Sequence, residues 1–411
     1  MNKDVIVIGG GTAGLMAAVT AAKQGHRALV LERNEKLGKK LYLTGKGRCN
    51  VTNLCAPDVF LQSVVRNPKF LYSALHAFPP QKLVDTLHAF GCPTVTERGR
   101  RVFPKSQKAS DVTRAFTKQL DALGVRVRLN ARVRALNIKN GAVTGVALES
   151  GETLPAQAVI VCAGGLSYPS TGSTGDGYAL LESAGHLIVP PKPALCGLLS
   201  DEAWIKGLQG LSLKNVRLCV TDGKHTLLDE IGEMLFTHFG VSGPLALTAS
   251  SLTAGRKGCK LRLDLKPGLS AEQLDQRILR DVSAAGKKRM ISVLRGLFPG
   301  ELAITMARQT GIDPHLPACE LTKAARQKLV SLAKALPLPV TGPEPIENAV
   351  ITAGGAKVAE FNPSTMESKL VKGLYAAGEV LDVDALTGGF NLHIAFATAY
   401  TAAKAVAVNE E

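Results

Sequence analysis

The first part of the chain alternates between short apolar runs and a glycine-rich turn. Residues 5–8 form a β-branched run that predicts a strand, residues 15–24 predict an apolar helix, and residues 28–31 predict a second strand. Glycines dominate residues 9–14, where the chain must turn tightly between strand and helix. This order predicts an α/β fold that begins with a parallel βαβ unit.

The remaining chain divides into segments of different pattern. Residues 54–124 look mostly helical, with Ser110 as the N-cap of a helix over 111–123 that ends at Gly124. Residues 125–161 predict a β-meander with turns at 140–141 and 150–151. Prolines at 190–193 and 337–345 bracket a strand-rich stretch and a basic helical stretch, and a final helix is predicted over 391–406. We therefore expect a discontinuous nucleotide-binding domain (1–190 and 341–411) that holds a strand-rich domain (191–268) and a basic helical domain (269–340).

The glycines at the first turn form a dinucleotide-binding motif. Gly9, Gly11 and Gly14 fill the pattern G-x-G-x-x-G: the first permits the turn, the second lets backbone approach a pyrophosphate, and the third lets helix and strand pack closely. The helix N-terminus then offers amide groups and partial positive charge to the phosphates. Glu32, at the end of the second strand, is placed to accept a hydrogen bond from a ribose 2′-OH, which favours FAD or NAD over NADP. The alternative is a glycine-rich turn without a ligand.

A formal charge of +15 is more than a small-substrate enzyme needs. The basic residues cluster, which indicates either a set of solvated faces or a surface for a polyanion, most simply RNA. The clusters are a loop (Arg98, Arg100, Arg101, Lys105, Lys108), a strand along which arginines alternate (Arg126, Arg128, Arg132, Arg134), and two helical regions (Arg280, Lys287, Lys288, Arg289, Arg295; Lys323, Arg326, Lys328, Lys334).

Other classes of protein are disfavoured by what the composition lacks. No apolar run reaches the roughly 20 residues of a membrane span, and no targeting segment is recognisable, so we expect a cytoplasmic protein without membrane contact. Eight cysteines occur without a C-x-x-C pair, which disfavours a zinc site, an iron–sulfur cluster and a dithiol redox pair; we expect no metal. Nothing indicates the oligomeric state, and a monomer is the default expectation.

Several further motifs identify a family. They lie at residues 9–18, 43–53, 163–169, 171–177, 237–244, 365–369, 373–382 and 388–392, and the segments Gly-Arg-Cys-Asn (47–50) and Gly-Glu-Val-Leu-Asp (378–382) are the most specific. Together they resemble the HI0933-like (BaiN/RdsA, YhiN-like) family of flavoproteins over nearly the whole chain. The resemblance implies non-covalent FAD, a Rossmann-like two-dinucleotide-binding domain, and an inserted β-barrel plus helical domain. It also implies reductase chemistry, on an activated C=C bond of a steroid-like enone or on a uridine of large-subunit ribosomal RNA.

The predicted cofactor site combines the first turn with later glycine-rich segments. In the loop 43–53, we expect the glycines to let backbone approach a flat ring, Arg48 to offset negative charge on reduced flavin, and Asn50 to hydrogen-bond the ring edge; the alternative for Arg48 is a surface arginine. The helix after Gly389 is predicted to direct its N-terminus at the flavin N1–C2=O region, with a structural turn at Gly388–Gly389 as the alternative. Either Glu379 or Asp382 contacts the ribitol. The full predicted set is Gly9, Gly11, Ala13, Gly14, Glu32, Arg33, Lys40, Gly45, Gly47, Arg48, Asn50, Val133, Ala163, Gly164, Gly378, Glu379, Asp382, Gly389, Asn391 and Leu392.

Reduction of a uracil C5=C6 bond needs a hydride and a proton donor. Cys49 is the candidate donor, with a packing thiol beside the cofactor as the alternative; His238, His393 and Tyr168 are rivals. No second G-x-G-x-x-G motif is present, so we expect NAD(P)H to dock transiently at the flavin, or another donor to reduce it.

The leading hypothesis is an FAD-dependent ribosomal RNA dihydrouridine synthase whose RNA contacts include Arg100, Arg101, Lys287, Lys288 and Arg289. The alternatives are a reductase of a small steroid-like enone and a non-catalytic, flavin-stabilised ribosome-assembly factor.

Overall fold

The computed structural model describes residues 3–406, which form two units. The first unit contains the described residues up to Ala194 together with those from Pro345 onward, and the inserted unit is Leu195–Glu344. Each has its own apolar core, and the inserted unit's strands and helices share one core. The finer division of the insertion at residues 268 and 269 stays a prediction.

The strands of the described chain are numbered in order. They are β1 (Asp4–Ile8), β2 (Arg27–Leu31), β3 (Thr52–Asn53), β4 (Val64–Arg66), β5 (Thr94–Glu97), β6 (Arg101–Pro104), β7 (Arg126–Arg128), β8 (Val133–Lys139), β9 (Ala142–Leu148), β10 (Thr153–Pro155), β11 (Ala158–Val161), β12 (Ile188–Ala194), β13 (Leu198–Leu199), β14 (Ser212–Asp222), β15 (His225–Phe236), β16 (Gly240–Ser242), β17 (Lys260–Asp264), β18 (Leu336–Pro337), β19 (Gly342–Pro343), β20 (Ile351–Ala356), β21 (Leu374–Ala376) and β22 (Asp384–Ala385).

The helices are numbered in the same way. They are α1 (Thr12–Lys23), α2 (Pro57–Leu61), α3 (Tyr72–Ala77), α4 (Pro80–Ala89), α5 (Ala109–Ala122), α6 (Asp176–Ser183), α7 (Ala203–Gly207), α8 (Pro244–Thr253), α9 (Ala271–Ala285), α10 (Met290–Leu297), α11 (Gly300–Thr310), α12 (Lys323–Lys334) and α13 (Phe390–Ala405).

A five-stranded parallel sheet organises the first unit. Its order is β21-β11-β1-β2-β7, and every pairing in it is parallel. The four residues of β11 and the last four of β1 are all buried, as expected for strands covered on both faces. Helix α1 packs against α13, and both are apolar on almost every side because neighbours surround them. The sheet therefore presents its carboxyl ends beside the N-terminus of α1, where ligands bind in doubly wound folds.

Four smaller sheets of the described chain complete the first unit around this frame. Of the meander predicted over 125–161, only β8–β9–β10 is antiparallel, and it turns where the sequence predicted. The rest of that prediction was wrong, because β7 and β11 pair in the parallel sheet. The sheet β3–β6–β5 carries the basic loop, and the pairs β12–β20 and β22–β4 join distant segments.

The inserted unit joins a seven-stranded antiparallel sheet to a helical cluster. The sheet order is β18-β17-β14-β15-β16-β13-β19. Strands β13 to β17 lie in the predicted strand-rich region, whereas β18 and β19 come from the proline-rich segment at 336–343, which lies outside it. Helix α9 begins with a capping box between Ser270 and Gln273, and α12 begins at the N-cap Thr322. Helices α9 to α12 bury their apolar faces against the sheet's core, as predicted from the basic helical pattern.

Two local predictions were wrong. Ser110 lies inside α5, which begins one residue earlier after the N-cap Lys108. The arginines at 126–134 do not alternate along one strand, because the chain leaves β7 at Arg128 and enters β8 at Val133. Arg128 and Arg132 are instead ion-paired, Arg128 to Glu152 at 2.7 Å, so their charge is partly neutralised within the protein.

Among the described residues, no single helix is long and apolar enough to cross a membrane. One helix pair, α10 with α11, passes that test only when taken together, and it is bent by 119°.

Candidate functional site

The glycine turn has the close packing that its motif predicts. A Cβ at Gly14 would overlap the carbonyl oxygen of Gly9, and a Cβ at Gly9 would lie 2.6 Å from the carbonyl oxygen of Cys162. A Cβ at Gly11 would meet no atom within 4 Å, so this position faces open space. Helix α1 begins at this point without a side-chain cap or an acidic residue in its first turn. The turn therefore offers an uncapped helix N-terminus, with room for an anionic group at Gly11.

Glu32 holds the glycine turn itself, a role that the sequence did not indicate. Its Oε2 accepts a hydrogen bond from the Gly10 amide at 2.7 Å, and its Oε1 accepts from the Asn34 amide at 2.8 Å and from Asn34 Nδ2 at 2.7 Å. A carboxylate has about four acceptor positions, and three are used here. One remains for a ribose hydroxyl, so the predicted cofactor role is compatible with the structural one.

Arg33 lies beside this turn but is committed to an ion pair. Its Nη1 is 2.9 Å from Asp176 Oδ2 and also donates to Thr174 Oγ1. Arg132 contacts the same carboxylate at 2.9 Å. Val133 is buried at the start of β8, and Ala163 and Gly164 follow β11 at the carboxyl edge of the parallel sheet.

A partly buried polar cluster forms around Glu379. Lys40 Nζ donates to Glu379 Oε2 at 2.7 Å and to Ser167 Oγ at 2.6 Å, while Glu379 Oε1 accepts from the Thr352 amide at 2.8 Å and from Ser167 Oγ at 3.0 Å. Gly378 packs against α1, since its Cβ would lie 3.0 Å from the Ala13 Cβ. Glu379 is therefore well supplied with donors from the protein.

Asp382 differs from Glu379 because one of its oxygens is unused. Its Oδ2 accepts from Asn67 Nδ2 at 3.1 Å, whereas its Oδ1 is buried and has no hydrogen-bond partner among the described residues. Burial raises the pKa of this carboxyl group, although Asn67 and Arg66 oppose the shift. Of the two residues predicted to contact the ribitol, Asp382 has a buried oxygen without a partner among the described residues, whereas Glu379 already accepts three hydrogen bonds.

The loop after α1 and β2 meets the N-terminus of α13. Gly45, Lys46, Gly47 and Cys49 all have positive φ angles, which shape a tight, irregular path. Gly389, with φ of +97°, precedes α13 without a side-chain cap, and a Cβ there would lie 2.8 Å from Asn50 Oδ1. That oxygen is buried and has no hydrogen-bond partner in the described part of the chain.

Arg48 lies in this loop, and an acidic residue of the protein pairs with its charge. Its Nη1 lies 2.9 Å from Glu97 Oε1 and donates to Gln107 Oε1 at 2.9 Å, and its guanidinium stacks 4.1 Å from the centre of the Phe103 ring. Glu97 therefore already neutralises part of the charge that Arg48 is predicted to offer to reduced flavin.

Asn391 and Leu392 lie in the first turn of α13. Asn391 Oδ1 accepts from the Ala385 amide at 2.9 Å, and its Nδ2 donates to the Ala385 carbonyl at 2.7 Å. This pair fixes the segment before Gly388 and Gly389, so Asn391 positions the turn.

Two of the four proposed proton donors are buried. Cys49 has no exposed surface, and burial raises the pKa of its thiol to about 12. Burial also lowers the pKa of His393 to about 4, and its Nε2 bonds the Phe78 carbonyl at 3.0 Å. His238 is exposed on the inserted unit, and Tyr168 is half-buried with positive φ. The structure thus favours the packing alternative for Cys49, and its catalytic role stays a prediction.

Several residues of the cluster were missed by sequence reasoning. The fold alone brings them together, and the available signals were that Ser167 lies inside the 163–169 motif and Asn53 inside the 43–53 motif. They are Ser167, Thr352, Asn67, Arg66, Asp384 and Asn53.

These features together fit FAD. The open approach at Gly11, the remaining acceptor position of Glu32, the unused oxygens of Asp382 and Asn50, and the uncapped α13 all lie in the first unit. They offer, in that order, space for a pyrophosphate, acceptors for hydroxyl and ring N–H groups, and a positive helix end for a ring oxygen.

The residues predicted to bind RNA fall on both units. In the first unit, Arg100 is exposed on the loop between β5 and β6, and Arg101 is exposed at the first residue of β6. Lys287, Lys288 and Arg289 are exposed between α9 and α10 in the inserted unit.

Comparison with known proteins agrees with this geometry. The model of the HI0933-like protein Rossmann domain matches residues 3–405. The chain is 32% identical to the 3-dehydro-bile acid delta(4,6)-reductase of Clostridium scindens, covering 99% of both proteins. It is 29% identical to the ribosomal RNA dihydrouridine synthase of Escherichia coli, covering 98% of this chain and 97% of that protein.

Solved structures show the same fold at lower sequence identity. The 3-ketosteroid-delta4-(5alpha)-dehydrogenase of Rhodococcus jostii superimposes with a TM-score of 0.53 at 15% identity, covering 98% of this chain and 96% of that one. The chain therefore belongs to the HI0933-like family, shares its Rossmann-like FAD-binding fold, and is an FAD-dependent oxidoreductase.

Proposed function

We propose that the protein reduces the C5=C6 bond of a uridine in large-subunit ribosomal RNA to dihydrouridine. The observation that carries the proposal is the placement of charge: exposed arginines on the loop between β5 and β6 lie beside the turn that precedes α13. The chain's formal charge of +15 suits a polyanionic partner. The dihydrouridine synthase of Escherichia coli, 29% identical, supports the same substrate.

The chemistry is reduction of a C=C bond conjugated to a carbonyl group. When bound and reduced, FAD supplies the hydride for the bond carbon distant from the carbonyl, here C6 of uracil. Negative charge then develops toward the C4 oxygen, and a proton must be delivered to C5. The protein's part is to orient the ring, exclude water and stabilise this charge with fixed donors, of which the uncapped N-terminus of α13 is the strongest candidate.

The target base must leave the folded RNA to reach such a site. Unstacking a base costs a few kcal/mol, which cationic contacts to the backbone offset. In this proposal, NAD(P)H docks transiently and supplies the electrons. The protein acts as a monomer in the cytoplasm. These points extend the expectations drawn from the sequence.

A second candidate is reduction of a steroid-like enone. It is favoured by the 32% identity to the bile acid reductase, whose coverage is equally complete. A uracil ring and an enone share the conjugated carbonyl, so one flavin site suits either substrate. Because the chain is an FAD-dependent oxidoreductase, the hypothesis of a non-catalytic assembly factor is not retained.

The test measures dihydrouridine in ribosomal RNA by mass spectrometry. RNA from a strain lacking the protein is compared with RNA from the same strain carrying the wild-type gene. We expect one large-subunit uridine to lose its mass increment of about 2 Da, the two added hydrogens, in the deletion strain and to regain it on complementation. Purified protein with NAD(P)H should then restore the modification to deletion-strain RNA.

Unchanged RNA in the deletion strain would refute the proposal. The same purified protein is offered a 3-keto-delta(4,6) steroid in parallel. Reoxidation of reduced protein by the steroid, together with unchanged RNA, would establish the second candidate instead.

A further inference from the structure

The basic loop between β5 and β6 has an unusual backbone for an exposed segment. Residues Arg98–Arg100 form a single turn in which Gly99 has φ of +75° and Arg100 has φ of +59°. An arginine gains nothing from the left-handed region, which costs a non-glycine residue about 1 kcal/mol or more. The surrounding structure must therefore hold Arg100 in place.

The hydrogen bonds that hold it come from β3 and the residue after it. The Leu54 amide donates to the Arg100 carbonyl at 2.8 Å, and Asn53 Nδ2 donates to the Gly99 carbonyl at 3.0 Å. The same Asn53 Nδ2 lies 3.4 Å from the carbonyl oxygen of Gly388. Asn53 is buried, so one side-chain amide ties the basic loop to the turn that precedes α13.

The charges on this loop exceed the acids that could neutralise them. Arg98 and Arg100 are exposed and have no ion pair among the described residues. Arg101 reaches only Glu97, at 4.0 Å, and Glu97 is already paired with Arg48 at 2.9 Å. Glu97 therefore serves two guanidinium groups, and those of Arg98 and Arg100 have no acidic partner among the described residues.

We propose that the Arg98–Arg101 loop is a phosphate-binding loop that holds the RNA backbone beside the target uridine. This inference rests on the proposed function. The rigid tether explains why an arginine occupies a strained position: the loop presents its cations at a fixed place relative to the N-terminus of α13. Two arginines without acidic partners suit two successive phosphodiester groups. A small substrate with a single carboxylate would need only one arginine.

The test removes the two uncompensated charges and keeps the backbone. The variant is Arg98→Gln combined with Arg100→Asn, because asparagine tolerates the left-handed region. The control is Lys118→Gln with Lys139→Gln, which removes two exposed charges from α5 and β8 in the same unit. Both proteins are loaded with FAD, and their affinity for a short ribosomal RNA fragment is measured across a range of salt concentrations, from about 50 to about 300 mM, with single-turnover dihydrouridine formation.

The loop variant should bind the fragment about tenfold more weakly, and its log–log salt slope should fall by about 0.7 for each phosphate that the loop no longer neutralises. Its single-turnover rate at sub-saturating RNA should fall with its affinity, and the control should match wild type in both measurements.

Wild-type affinity and slope in the loop variant, with dihydrouridine still formed, would overturn this inference and leave the proposed function standing. An equal loss of affinity in the control would also overturn it, since any two charges would then suffice. No dihydrouridine from wild-type protein would refute both.

Discussion

Replacement of Glu32 separates its two roles, the structural and the cofactor-binding one. Three hydrogen bonds end on this carboxylate, and the Gly10 amide that supplies one of them is buried. In Glu32→Ala, the Gly10 and Asn34 amides lose their acceptor, whereas Asn34 Nδ2 retains the Thr171 carbonyl at 3.0 Å. Each buried donor left without a partner costs about 1–3 kcal/mol. We therefore expect the FAD-free protein to lose about 2–4 kcal/mol of unfolding free energy.

The measurement is made on protein stripped of FAD, so that cofactor binding does not contribute. Urea unfolding gives the free energy, and hydrogen exchange of a peptide covering the glycine turn locates the change. Glu32→Gln is the matched control: it keeps one carbonyl acceptor in a side chain of equal length, so it should lose roughly half as much.

The FAD affinity of each variant is measured separately by flavin fluorescence. If the free energy of FAD binding falls by more than the free energy of unfolding, the excess would indicate the ribose contact. If FAD-free Glu32→Ala unfolds at the wild-type urea concentration with unchanged exchange at the turn, the structural role assigned to Glu32 is refuted.

Three further predictions concern the same unit. Cys49→Ala should keep its single-turnover rate, because a fully buried thiol with a pKa of about 12 is a poor acid; a drop of about 10²–10⁴-fold would restore it as proton donor. The pKa of His393 is about 4 in the folded protein and 6.5 ordinarily. As the pH falls, the unfolded chain therefore takes up this proton at a higher pH than the folded protein does. Stability should therefore fall by about 3 kcal/mol as the pH drops from 6.5 to 4, and urea unfolding of His393→Gln should show a flatter profile. Gly14→Ala should fail to fold stably, whereas Gly11→Ala should fold normally and bind FAD weakly, which circular dichroism and flavin content distinguish. Normal FAD retention by Gly11→Ala would contradict the assigned pyrophosphate approach.

The parts of the fold that depend on neighbouring residues were predictable from sequence. The first βαβ unit was predicted from apolar periodicity, because its strands pair within the first 31 residues. The turns of the meander and the final helix were predictable in the same way, because their patterns depend on residues close together in the chain. The start of α5 was misplaced because serine is a common N-cap, whereas the helix begins two residues before the predicted start, after the N-cap Lys108.

The polar contacts of the site were less predictable. Lys40 and Glu379 are 339 residues apart, and no local pattern pairs a lysine with an acid at that distance. Arg128 and Arg132 looked like open charge because their partners, Glu152 and Asp176, are supplied by later segments. The motif glycines were predictable as a group because each imposes a backbone geometry of its own. Their cofactor contacts stay predictions.

The discontinuity of the first unit has a consequence for synthesis. Strand β11 gains its neighbour β21 only after residues 195–344 have been translated, and α1 waits as long for α13. The inserted unit is contiguous and has its own core, so it leaves the ribosome complete while the N-terminal half still lacks its closing strand. Cofactor capture is therefore a late event, and nascent chains stalled before residue 374 should hold a folded insertion without flavin.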